Sequence, residues 1–199
     1  MINTAIIVGK LVEPFTPVEN TNRCETKILV KTNKEMLLPV SIDSKTILAP
    51  KVIVGQRVHI IGTIRSWSEH TSDGKRHNHV HIHASSIDCA LDNEQDQSYV
   101  HFQGRMVTVP YRTIKNGKVI SQTIVRIRFA AGRYYYIPIV AWSASANYLT
   151  TLKVKQDIDV IGSFISRQYN KYINNVAHQY TTYEVVISRV IPIEGEENV

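Results

Sequence analysis

Apolar and polar residues alternate along most of this chain, and the β-branched types Val, Ile and Thr are frequent. A period of two sends successive side chains to opposite faces of an extended strand. In the first half the alternation predicts strands near residues 3–13, 27–33, 36–42, 56–67 and 78–88, with a short helix over about 43–50 closed by Pro50. Thr32-Asn33-Lys34 and Ser72-Asp73-Gly74 read as tight turns. The second half repeats the order. Strands are expected near 99–110, 119–130, 133–142, 156–168 and 180–191, and a helix over about 143–152 with Ser143 as its N-cap. Asn116-Gly117 and Ala131-Gly132 supply turns, while residues 92–98, polar and without period, read as a linker.

Landmarks recur in the same order in both halves. Gly9-Lys10-Leu11-Val12 matches Gly104-Arg105-Met106-Val107, Pro39 matches Pro138, and Ile61-Gly62 matches Ile161-Gly162. The offset grows from 95 to 99 to 100, and reaches 103 where Val80, Ile82 and Ala84 match Tyr183, Val185 and Ile187. This is the signature of a duplicated unit with small insertions in the loops of the second copy. Five strands with a helix between the third and fourth is the order of the OB-fold, a small Greek-key barrel. The expected architecture is all-β: two tandem OB-fold barrels over 1–91 and 99–193, a linker at 92–98 and a short acidic tail at 194–199.

Composition narrows the functional classes. Hydrophobic residues are 43% and charged residues 20% of the 199, ordinary for a globular protein. No apolar run approaches the roughly 18 residues of a membrane helix, and the start lacks the basic region of a signal peptide. With two cysteines, Cys24 and Cys89, a cytoplasmic protein with reduced thiols, no cofactor and no membrane partner is expected. The net charge of +6 is a mild bias toward polyanions, but its distribution is uneven. Residues 1–95 hold 11 basic and 10 acidic side chains, whereas 96–199 hold 12 and 7, and 14 of the 16 aromatics lie beyond residue 95.

Several motifs resemble one family. Ile2-Asn3-Thr4-Ala5-Ile6-Ile7-Val8-Gly9-Lys10-Leu11 resembles the opening strand of bacterial and phage single-stranded DNA-binding proteins, and the stretch from Gly55 to Trp67 resembles their fourth strand. The Asp73-Gly74-Lys75-Arg76 hairpin tip fits the same pattern, and Ala144-Ser145-Ala146-Asn147-Tyr148-Leu149 looks like the family's helix. The resemblance spans roughly 2–89 and 99–192. It implies single-stranded DNA as partner, in replication, recombination or repair. It also implies an assembly of four OB domains, hence a homodimer of a two-domain chain. Most members carry one OB domain and a Gly/Pro/Gln-rich tail with an acidic, apolar tip. The ending Glu194-Gly195-Glu196-Glu197-Asn198-Val199 has no such spacer, so the resemblance does not extend to recruitment through a tail.

Holding single strands without sequence preference takes aromatic faces for bases and cations for phosphates. Alternation from Thr123 to Phe129 puts Val125, Ile127 and Phe129 on a core face and Arg126 and Arg128 outside. Beside them, from Arg133 to Trp142, it puts Tyr134 and Tyr136 outside and Tyr135, Ile137 and Ile139 in the core. The hairpin after the next strand offers Arg167, Tyr169, Lys171 and Tyr172 as a basic, aromatic finger; its first-half counterpart offers Arg65, Trp67, Lys75 and Arg76. His77, His79, His81 and His83 share one strand face. Without a carboxylate or Cys at motif spacing they read as a polar face and not a metal site. The acidic residues are dispersed and no nucleophile motif appears, so a binding protein is expected in place of an enzyme. A primosomal accessory protein, a protein-interaction scaffold and RNA binding remain as alternative readings.

Overall fold

In the computed structural model, residues 1–46, 52–70, 74, 76–91, 93–173 and 176–193 are described. Lys75, the 194–199 tail and residues 47–50 of the expected first-half helix lie outside them. Residues 44–46 form a turn. The first barrel is built from β1 (Asn3–Leu11), β3 (Arg23–Lys31), β4 (Glu35–Asp43), β5 (Arg57–His70) and β6 (Arg76–Cys89), with a two-residue strand β2 (Thr16–Pro17) on the edge. β1 pairs with β5 along most of its length and with β3 at its end; β3 pairs with β4, β4 runs parallel to β6, and β6 returns to β5. That circuit closes an OB barrel.

The second barrel repeats it with β7 (Gln97–Met106), β9 (Lys118–Ala130), β10 (Arg133–Trp142), β11 (Asp157–Ile173) and β12 (Val176–Pro192), plus the edge strand β8 (Tyr111–Lys115) and helix α1 (Ser143–Leu149). The duplication holds at the level of register: Val40 sits opposite Ile82 in the parallel pair of the first barrel, and Ile139 opposite Val185 in the second. Asn116 and Gly117 both take positive φ at the β8–β9 turn, which a two-residue hairpin of this hand requires.

The barrels are joined edge to edge. β1 and β7 pair antiparallel from Asn3 opposite Phe102 to Val8 opposite Gln97, giving one 12-stranded sheet. Gln97 and Ser98, inside the expected linker, therefore already belong to β7; Ser98 is buried and its hydroxyl donates to the Phe164 carbonyl at 2.6 Å. Two further residues of the expected linker are held by ion pairs, Asp96 to Arg57 at 2.7 Å and Glu94 to His59 at 2.8 Å. Three further expectations are corrected. The N-cap of α1 is Trp142, without a side-chain cap bond, while Ser143 has left-handed φ. Phe129 is not core but 48% exposed, stacked on a half-buried Tyr135 at 4.1 Å. Both hairpins run on well past the barrels, to 14-residue strands in the first half and 17-residue strands in the second. Among the described residues no helix is long and apolar enough to cross a membrane.

Candidate nucleic-acid interface

Arg126 and Arg128 leave the outer face of β9 opposite Tyr136 and Tyr134 of β10. The Arg126 guanidinium lies 4.8 Å from the centre of the Tyr134 ring, within cation–π range. A cavity of about 440 Å³ opens beside them, lined also by Arg105 and Asp157. Arg105 makes a two-pronged bond to Asp157 at 2.7 and 2.6 Å. One carboxylate thus faces three guanidiniums, and the cavity keeps a surplus of positive charge. Arg133 is exposed at the start of β10, where the register shifts. Tyr136 is half-buried at the domain junction: its N–H donates to Ser66 Oγ at 2.7 Å, and its carbonyl accepts from Asn78 at 2.7 Å.

The hairpin residues lie on strands and not in a loop. Tyr169 stacks on Tyr180, its cross-strand partner, with ring centres 5.7 Å apart. Lys171 and Tyr172 are exposed, the latter at 72%. Arg167 lies 5.9 Å from the Tyr169 ring, but its charge is engaged by buried Glu184 at 3.0 Å. It is therefore first a partner for a buried carboxylate, which would be costly to leave alone. On the first-half hairpin, Trp67 stacks on His79 with centroids 4.0 Å apart, and His79 contacts Glu69 at 3.1 Å. Arg65 bonds Thr63 and reaches across the junction to within 6.0 Å of the Tyr135 ring. Arg76 opens β6, and its side chain lies outside the described structure.

The histidine row is not a uniformly solvated face. His77 and His79 are exposed, whereas His81 and His83 are buried. His83 shares a 3.0 Å hydrogen bond with Ser41. Both ring nitrogens of His81 lack a partner among the described residues; burial, with Arg23 adding to it, pushes its pKa down to about 3, so the ring stays neutral. Among the described residues no group of three or more His, Cys, Asp or Glu is arranged to hold a metal. Cys24 is buried, and Cys89 is exposed at the end of β6.

Across nearly the whole chain, this architecture matches a solved protein. The wild-type single-stranded DNA binding protein from Thermus aquaticus superposes with a TM-score of 0.74 at 16% identity, covering 100% of this chain and 96% of that one. A deletion mutant of it, also carrying a point substitution, gives 0.75 at 13% identity, over 98% and 96%. The chain has the fold of the Thermus aquaticus protein. No protein-family model matches the sequence, and no curated protein sequence does.

Against that shared fold, two features escaped the reading of the sequence. From Gln97 to Gln156 there are nine Lys and Arg and no Asp or Glu, a run that singles out β7–β10 and Arg105. The other feature is created only by folding. Each hairpin reaches over the opposite barrel, and Lys34 Nζ donates to the Ser166 carbonyl at 3.1 Å. Two cavities, about 290 and 780 Å³, follow the β3–β4 face; Lys27 and Tyr183 line both, with Trp67 in the first and Lys34 and Arg167 in the second. A trough on the first barrel is thus walled in part by the second.

Proposed function

We propose that this chain binds single-stranded DNA largely without regard to sequence, as a binding protein and not an enzyme, serving replication, recombination or repair. The observation that carries the reading is the β9–β10 platform, where Arg105, Arg126 and Arg128 line one cavity with Tyr134 and the Arg126 guanidinium lies over its ring. Bases stack on the open part of half-buried rings such as Tyr134 and on exposed ones such as Tyr172, and guanidiniums follow the phosphates. The fold shared with the Thermus aquaticus protein supports the same reading, as does the trough across β3 and β4. We assign the domains to 1–91 and, with Gln97 and Ser98 in β7, 97–193, and read them as one working unit because β1 and β7 share a sheet. Titration of the full chain with a labelled single strand, compared with duplex, tests the proposal.

The assembly we propose is a homodimer presenting four barrels. The supporting observation is an apolar row across the central strands, where Ile61 lies opposite Ile6 and Ile6 opposite Tyr99; Ile61 is 43% exposed. Two copies stacked on this row would remove it from water. Light scattering should report about twice 22.6 kDa; a mass of one chain at every concentration would reject the dimer.

A further inference from the structure

We propose that the cavity between the Trp67–His79 stack and Tyr183 takes one nucleobase of the bound strand and favours cytosine, which carries an amino group, over uracil. The inference rests on the single-strand reading and adds a base preference at one point of the path. The cavity holds about 290 Å³. One wall is the Trp67–His79 pair, with ring planes 13° from parallel. Tyr183, half-buried and packed toward Phe164, forms another.

Between these walls lie groups suited to a base and unsuited to a phosphate. Glu13 pairs with Lys27 at 3.1 Å and Glu25 with Arg23 at 3.2 Å, and their side chains stay 43% and 45% exposed. Each of these ion pairs uses one carboxylate oxygen, whereas a carboxylate can accept several hydrogen bonds. Lys27 also lines the cavity, but it is paired with Glu13, so the lining has no cationic surplus to draw a phosphate, while the second oxygen of each carboxylate can accept from an amino group; cytosine N4 is the base donor that Glu and Asp recognise. Uracil puts a carbonyl oxygen at that position, lone pair against lone pair. His81, 7% exposed with both ring nitrogens unpartnered among the described residues, also lines the cavity. As a neutral imidazole it supplies an uncommitted donor and acceptor in place of a phosphate-attracting charge. The contrast with the β9–β10 cavity, which carries three arginines and one aspartate, separates a base-facing site from a phosphate-facing one.

The test uses the full chain and labelled oligo-dC and oligo-dU of equal length, which differ only in the pairing edge of the base. Binding of dC is expected to be about tenfold tighter. Glu13→Gln with Glu25→Gln should bring the ratio close to one, because an amide can donate to uracil as readily as it accepts from cytosine. Equal affinities, or tighter binding of dU, overturn the inference and leave single-strand binding standing. A cytosine preference that survives the double substitution overturns the assignment to these carboxylates. No binding of either oligomer brings down the single-strand reading itself, and this inference with it.

Discussion

Gly62→Ala and Gly162→Ala are each expected to destabilise the protein by about 3 kcal/mol or more, a large share of the roughly 5–15 kcal/mol that keeps a protein folded. Both glycines sit at the same irregularity, one in each barrel. The pairing of β5 with β6 shifts between Ile61 and Gly62, and that of β11 with β12 between Ile161 and Gly162. Extra residues on the partner strands, Ser85 and Ser188, turn their hydroxyls onto the Ile61 and Ile161 carbonyls at 3.0 and 3.1 Å. The bulge bends each strand around the barrel corner. It also brings the chain of β6 or β12 so close that a Cβ at Gly62 would overlap the His83 carbonyl oxygen, and one at Gly162 the Val186 carbonyl oxygen. Both obstacles are backbone, so the sheet itself has to move. Urea unfolding curves provide the measurement, with Ser85→Ala as a control expected to cost about 1 kcal/mol. Alanine variants within about 0.5 kcal/mol of the parent would show that the bend does not depend on these approaches.

Arg126→Ala combined with Arg128→Ala is expected to weaken single-strand binding by about ten- to a hundredfold at low salt. The plot of log K against log salt should also flatten by about 1.4, or about 0.7 for each phosphate contact removed. The flattening is the diagnostic part, because a change in barrel packing would lower affinity without altering the number of counterions released. Tyr134→Ala provides the complementary result, a loss of about 1–3 kcal/mol with a largely unchanged slope. The side chains of both arginines stand on the outer face, while Val125 and Ile127 between and beside them are buried, so the variants are expected to fold. A double variant with normal circular dichroism and an unchanged slope would move the phosphate track elsewhere.

Much of this arrangement could be read from local pattern. Burial on one face of a strand produces alternation, so Val125 and Ile127 sit inside while Arg126 and Arg128 point out. Close backbone approach produces the recurring glycines, which is why Gly62 and Gly162 marked the repeat. Alternation loses its meaning where a strand leaves the barrel. Beyond the core, Gln179 donates diagonally across the strands to Gln168 in a hairpin exposed on both faces, so no apolar period announces that β11 and β12 continue. Phe129 has the parity of a core residue but stands at the end of β9 past the barrel, where it covers Tyr135 and not the core.

Other features depend on partners far away in sequence. Residues 97 and 98 carry linker-like side chains, yet β1 supplies a partner edge for their backbone. Arg167 looks like a free cation until Glu184 is brought beneath it. His81 and His83 alternate like solvated residues, but both are buried once β3, β4 and β6 come together. Lys27, Lys34 and Tyr183 meet only because each hairpin reaches the opposite barrel. The near-neutral charge and two aromatics of residues 1–95 therefore give no sign of the trough that folding brings to the first barrel.

Preference for single strands is tested by titrating the full chain with labelled oligothymidylate and with duplex of equal length, each at two salt concentrations. Tight, saturable binding of the single strand and much weaker binding of duplex are expected, with log K for the single strand falling by about 0.7 per phosphate neutralised as log salt rises. Equal affinity for duplex, or no detectable binding of the single strand at low salt, would contradict it.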